Sequence, residues 1–173
     1  MLEICKKSRN EKLYHYVQLL LHTGMRPSEG AGLVWGQIDI DARIIDLTVT
    51  KTKPRRVPLT IQAVEILLDI MPEICNSARP VFLPDTTSQT VQRRPNLFFR
   101  RAFDNAIKKA KIEDFHMHDL RHTAASYLLM AGVDLRILAD ILGHSTMQMV
   151  QRYTHLLDEH KLKAIDHIEG LGK

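Results

Sequence analysis

Side chains that could act together on one phosphodiester recur along this chain in a fixed order: Arg26, Lys51, His118, Arg121, His144 and Tyr153. They stand in the strings TGMRPSEG, TKTKPRRVPL, HDLRHT, LGHS and QRYTHL. Two guanidinium forks match the non-bridging oxygens of a phosphate and stabilise charge that develops during transfer. A phenol can attack phosphorus once its proton is removed, and an ammonium or imidazole can move protons to or from the reacting oxygens.

Taken singly, each residue has an ordinary reading. Arg26 can pair with Glu29 three positions later. His118 and Arg121 can be polar residues of a helix surface, and His144, just after Gly143, can sit beside terminal helix carbonyls. Lys51 can be a solvated hairpin lysine. Tyr153 can be a core or rim tyrosine, since its phenol is protonated at neutral pH with a pKa of about 10. A second arginine far from the first, followed by a histidine and a tyrosine, shifts the balance toward phosphoryl transfer.

The elements that must position these groups follow from periodicity. Leu13, Tyr16, Val17, Leu20 and Leu21 predict an amphipathic helix over residues 11 to 23 that stops at Gly24. Pro27 suits the first turn of the next helix, with Leu33 and Val34 near its end, so Arg26 falls between a stop and a start. Gly36 to Asp41, Arg43 to Val49 and Arg55 to Leu59 read as three short antiparallel strands, the last two joined by the Lys-rich turn. Thr60 caps a helix reaching about Met71, with Ala63, Ile66, Leu67 and Ile70 on its buried stripe.

Residues 72 to 95 read as connections around a short extended Val81-Phe82-Leu83 segment. Helical spacing resumes from Asn96 toward Ile112, then over His118 to Met130 and Leu135 to Leu142, with Gly132 and Gly143 as punctuation. His118 and Arg121, three apart, then share one helix face. The class is α+β, mostly helical, with a small three-stranded antiparallel sheet. Asp158 to Ile168 reads as a last amphipathic helix, with Leu162, Ile165 and Ile168 as a stripe that can fold back on its own domain.

In order and combination the five strings closely resemble the catalytic motifs of the tyrosine recombinases, the phage integrase family, from about Lys12 through Tyr153. The resemblance implies the DNA breaking-rejoining catalytic fold, with Tyr153 as nucleophile forming a 3′-phosphotyrosyl link and releasing a 5′-hydroxyl. It implies Arg26 and Arg121 as the phosphate clamp, Lys51 as general acid, His118 as base or proton shuttle, and His144 as a transition-state donor. Glu29 would support Arg26, and Lys53 is a second candidate for the acting lysine. The form of LFFRRAFDNAIKKA followed by HDLRHTAASYLLMAGVDLRILADILGHS is most like integrases of phages and mobile islands.

The same resemblance implies double-stranded DNA as partner, self-association into a dimer or tetramer on it, and accessory DNA-bending proteins. No cofactor is expected, since the covalent link conserves bond energy and the cations neutralise the phosphate. Basic residues cluster at Lys53, Arg55 and Arg56, and at Arg100 and Arg101, as candidate DNA contacts; the formal net charge of +4 agrees with a polyanionic partner without requiring one. The chain reads as one catalytic domain over residues 1 to 173, with the family's N-terminal DNA-binding domain outside it.

Cys5 and Cys75 have neither metal-ligand spacing nor a secretory signal before them, which suggests a reducing cytoplasm, where the resemblance implies association with DNA. No apolar run reaches the roughly 18 residues of a membrane span. A zinc site on His118 and His122, with His116 or His144, would make the chain a metalloprotein instead. That site lacks the glutamate of the HExxH pattern, Asp119 standing there, and leaves both arginines and Tyr153 without a role. Type IB topoisomerase-like relaxation and a noncatalytic DNA-binding module also compete with recombination, and both would use the same fold.

Overall fold

The computed structural model describes residues 1–47, 54–74, 76–84, 94–143 and 146. Helix α2 (Leu13–Thr23) is the centre of the domain. Its Leu13, Tyr16, Val17, Leu19 and Leu20 are completely buried, because helices pack on it from several sides. These include α1 (Leu2–Lys6), α3 (Pro27–Ala31), α4 (Ile61–Asp69), α5 (Leu97–Lys109) and α6 (Asp119–Met130). The short α1, which has no counterpart among the predicted elements, tucks Cys5 into the same core.

Helix α2 stops where expected: Gly24 adopts φ 63° and its N–H bonds back to the Leu20 carbonyl. A side chain at Gly24 would also collide with Leu142, at 2.7 Å from its Cβ. Tyr16 ties this core to the next element. Its ring stacks on Phe99 at 4.0 Å and meets Phe82 edge-on, while its hydroxyl donates to the Pro27 carbonyl at 2.7 Å. The start of α3, and Arg26 with it, is thereby fixed to the aromatic centre of the domain.

The sheet has the order β1 (Ile38–Asp39), β2 (Ile44–Leu47), β3 (Arg55–Pro58), all antiparallel, with Ile45 opposite Val57 and Leu47 opposite Arg55. The first strand is shorter than predicted because Trp35–Gln37 form a 3-10 turn. Three hydrogen bonds divert the backbone there. Gln37 Oε1 accepts the Val34 N–H, and the Trp35 and Gly36 N–H groups bond the carbonyls of Arg79 and Ser77. Within the 76–84 segment Val81, Phe82 and Leu83 are buried in the core, whereas residues 76 to 79 stay exposed while their backbone bonds residues 35 and 36.

Thr60 caps α4 as predicted, its hydroxyl oxygen accepting the Ala63 N–H at 3.1 Å, a contact of about 1 kcal/mol. At the other end of the domain, α6 and α7 (Leu135–Leu142) enclose a smaller apolar cluster of Ala125, Leu129, Leu138, Ala139 and Leu142. Asp134 caps α7 through the Arg136 and Ile137 N–H groups, and Gly143 ends it at φ 66°. Helix α7 also packs on β3. Its carboxyl end therefore meets strand β3, the α2–α3 junction and α6 at one place.

Candidate functional site

Three arginines from three elements converge on the last carbonyls of α7. Arg55, at the start of β3, donates Nε to the Ile141 carbonyl at 3.1 Å. Arg121, in the first turn of α6, donates to the Leu142 carbonyl at 2.7 Å and to the Gly24 carbonyl at 3.1 Å. Arg26, preceding α3, donates to the Gly143 carbonyl at 3.1 Å. A helix leaves its final carbonyls without intrahelical partners and concentrates partial negative charge there, so cations are doubly suited to this seat.

Glu29 joins two of the three. One carboxylate oxygen accepts Nη1 of both Arg26 (2.8 Å) and Arg55 (2.9 Å). The other accepts Nη2 of Arg55 (2.7 Å) and the backbone N–H of Arg26 (2.8 Å). Burial by itself would push this carboxyl up, but the hydrogen bonds and charge of Arg55, with the N–H and guanidinium of Arg26, outweigh it and hold the group at about 2. Glu29 is thus ionised at any working pH.

His118 stands at the residue before α6, in helical backbone conformation and one turn before Arg121, so the expected sharing of a face holds. Partial burial of the ring lowers its pKa, as do the neighbouring His122, Arg121 and Arg26, while Asp119 opposes them. His118 as a residue is exposed to solvent, which limits the size of that shift. It favours a neutral imidazole, the form able to accept a proton. The His118 and His122 rings meet edge-on at 5.1 Å. Among the described residues no group of three His, Cys, Asp or Glu side chains is placed to hold a metal.

Arg26 and His118 open onto a groove of about 690 Å³. Arg100, Asp104 and Lys108 of α5 line its opposite wall, and Phe115 to Met117 line it on the way into α6. That connection turns through Lys111 and Asp114 at φ 55° and 50°. Arg100 and Arg101 are exposed and also border an adjoining hollow with Asn105 and Lys108, so both stand where a polyanion could reach them. Arg56 is exposed and loosely paired with Asp46 at 3.6 Å. Arg121, by contrast, is buried.

Arg55 corrects the expectation drawn from sequence. Its place in the basic cluster with Arg56 suggests a DNA contact, yet its side chain is only 5% exposed and its donors are engaged by Glu29 and Ile141. The signal is present in the alternation: Arg55, Val57 and Leu59 share one phase of the strand and all face inward, whereas Arg56 and Pro58 face out. Lys51, Lys53, His144 and Tyr153 lie outside the described residues, as does the expected helix over Asp158 to Ile168.

The profile of the Phage integrase family matches residues 1–160 of this chain. The chain belongs to the phage integrase family. As a member it is 33% identical over 171 residues to the integrase of Salmonella phage P22, covering 93% of this chain and 43% of that protein. It is 35% identical over 153 residues to tyrosine recombinase XerC of Corynebacterium glutamicum, covering 87% of this chain and 48% of that one. This integrase-family chain thus spans less than half the length of either relative. Its fold matches the catalytic domain of bacteriophage HP1 integrase with a TM-score of 0.72 and 32% identity, over 95% of this chain and 87% of that one. Among the described residues no helix is long and apolar enough to cross a membrane.

Proposed function

We propose that this domain cuts and rejoins duplex DNA for site-specific recombination through a 3′-phosphotyrosyl intermediate. The observation that carries the reading is the seating of Arg26 and Arg121 on the adjacent carbonyls of Gly143 and Leu142, with His118 one turn from Arg121. Cations held before substrate arrives need no reorganisation when charge develops on the phosphate, which is the condition for strong electrostatic catalysis. Folding brings the two arginines, far apart in sequence, to one end of one helix.

In the proposed reaction the Tyr153 oxygen attacks the scissile phosphorus as its proton is taken up, with His118 as acceptor or relay. The P–O5′ bond breaks, and the leaving 5′-oxygen receives a proton from Lys51, or from Lys53 if that residue reaches it. Arg26 and Arg121 bind the non-bridging oxygens, and His144 adds a hydrogen bond. Glu29 holds Arg26. Because the phosphodiester energy is kept in the tyrosyl ester, attack by another strand's 5′-hydroxyl reverses the chemistry without ATP. The resemblance to integrases and to XerC supports assembly as a dimer or tetramer on DNA.

The test is covalent capture. Fragmented host and mobile-element DNA is incubated with the chain in chelator, the reaction is stopped with detergent, and the retained DNA is sequenced for wild type and Tyr153→Phe. Retention by wild type alone supports the mechanism and reads out the target. Equal retention by both proteins, or none by wild type, contradicts it. Joining of two distinct duplexes in the same reaction separates recombination from topoisomerase-like relaxation.

A further inference from the structure

The third guanidinium at the seat belongs to a residue that the reaction above does not use. Arg55 leaves the strand register pointing inward opposite Leu47, and its fork takes both oxygens of Glu29 while Nε holds the Ile141 carbonyl. Gly143 lies against it so closely that a Cβ there would stand 2.6 Å from Arg55 Cδ and 2.9 Å from Nε. Three stretches of chain that each lead to a proposed reactive group therefore meet on one side chain. Strand β3 is the return arm after Lys51, Glu29 carries Arg26, and the end of α7 runs directly into His144.

We propose that Arg55 is a positioning residue for strand cleavage, setting Arg26 through Glu29 and the approach to His144 through Ile141 and Gly143, without touching DNA. This rests on the recombinase reading. All three guanidinium nitrogens of Arg55 are directed at Glu29 and Ile141, and the residue does not line the groove onto which Arg26 and His118 open. The ion pair steadies the fold once formed, but stability alone does not call for ions here, since a whole buried pair is often replaceable by apolar side chains of similar volume at little or no loss. What an apolar substitute cannot do is hold a carboxylate by two parallel bonds and a carbonyl by a third, fixing orientation as well as distance. Lysine would keep the charge but not the planar fork.

The experiment compares wild type, Arg55→Lys and Glu29→Gln in the full chain on a nicked duplex that traps the covalent complex. Three quantities are read: the single-turnover rate at saturating protein, the DNA dissociation constant in a Tyr153→Phe background, and the melting temperature. Misplacement of reacting groups by about 1 Å costs on the order of 10²-fold in rate, and that loss is expected for Arg55→Lys with affinity within about threefold of wild type. Glu29→Gln should show the same split, and the double variant should be no worse than the poorer single, since both act through one contact.

Wild-type cleavage rates in folded Arg55→Lys would assign the residue to stability alone and overturn the proposal. Weakened binding with an unchanged rate at saturation would make it a DNA contact and overturn it equally. If Arg55→Lys does not fold, Glu29→Gln carries the decision, and a wild-type rate there is fatal. A wild-type chain that forms no covalent complex removes the recombinase reading together with this one, whereas a reactive wild type beside an equally reactive Arg55→Lys removes only the role of Arg55.

Discussion

Arg26 and Arg100 line the same groove, but the regions they belong to hold their cations differently. At the end of α7, Arg26, Arg55 and Arg121 are bound to Glu29 or to the carbonyls of Gly24, Ile141, Leu142 and Gly143. On α5, Arg100 and Arg101 stand exposed beside Asp104 and Lys108. An arginine gives up about 2 kcal/mol of rotamer entropy when it is fixed. In the seat that ordering is done by folding; on α5 it would be done by DNA. The first arrangement favours the transition state of phosphoryl transfer, whereas the second favours encounter and salt-dependent affinity.

The largest effect should come from Arg121, the most deeply buried member of the seat. Arg121→Lys cannot bond the Gly24 and Leu142 carbonyls with a fixed fork, and it should cut the single-turnover cleavage rate by about 10²- to 10³-fold, with DNA affinity nearly unchanged. Rate measurements at saturating protein check this. An equal loss in affinity and none in rate would erase the distinction between the two regions.

Gly143→Ala should come next. A side chain at φ 66° costs about 1–2 kcal/mol, and the added carbon also meets Arg55, so a melting-point drop should accompany a slower reaction. Thermal denaturation read beside cleavage shows whether the two losses travel together.

Acid separates the two regions further. With its pKa at about 2, below the ordinary 4.5, Glu29 contributes stability that is complete above about 4.5 and lost as pH falls through about 2. Glu29→Gln should flatten acid unfolding in that window. The lowered His118 pKa places the acid limb of the cleavage profile below the ordinary imidazole value of 6.5, and His118→Gln should remove that limb. The smallest effect belongs to α5: Arg100→Ala or Arg101→Ala should weaken binding a few-fold and reduce the salt slope by about 1 each, leaving the saturated rate alone.

Much of this architecture is legible from local rules. The limits of α7 at Leu135 and Leu142, the stop at Gly24, the Thr60 cap and the shared face of His118 and Arg121 all follow from periodicity, capping and glycine placement. What escapes those rules depends on pairing across long distances. The diversion of 35–37 into a 3-10 turn needs the carbonyls of Ser77 and Arg79, some forty residues away. The inward direction of Arg55 can be read from its phase with Val57, but a charged residue on a core face has no visible partner until Glu29 and Ile141 are brought to it.

The division of labour itself is tested by one salt titration of the wild-type chain, following dissociation constant and saturated cleavage rate together from about 50 to about 200 mM salt. If roughly six phosphates are contacted by exposed cations, affinity should fall about 10³-fold. The saturated rate should stay within about twofold, because the seat arginines are held by the fold and not by ions in solution. A rate that falls in step with affinity would contradict that division, placing the reacting cations among those that salt can displace.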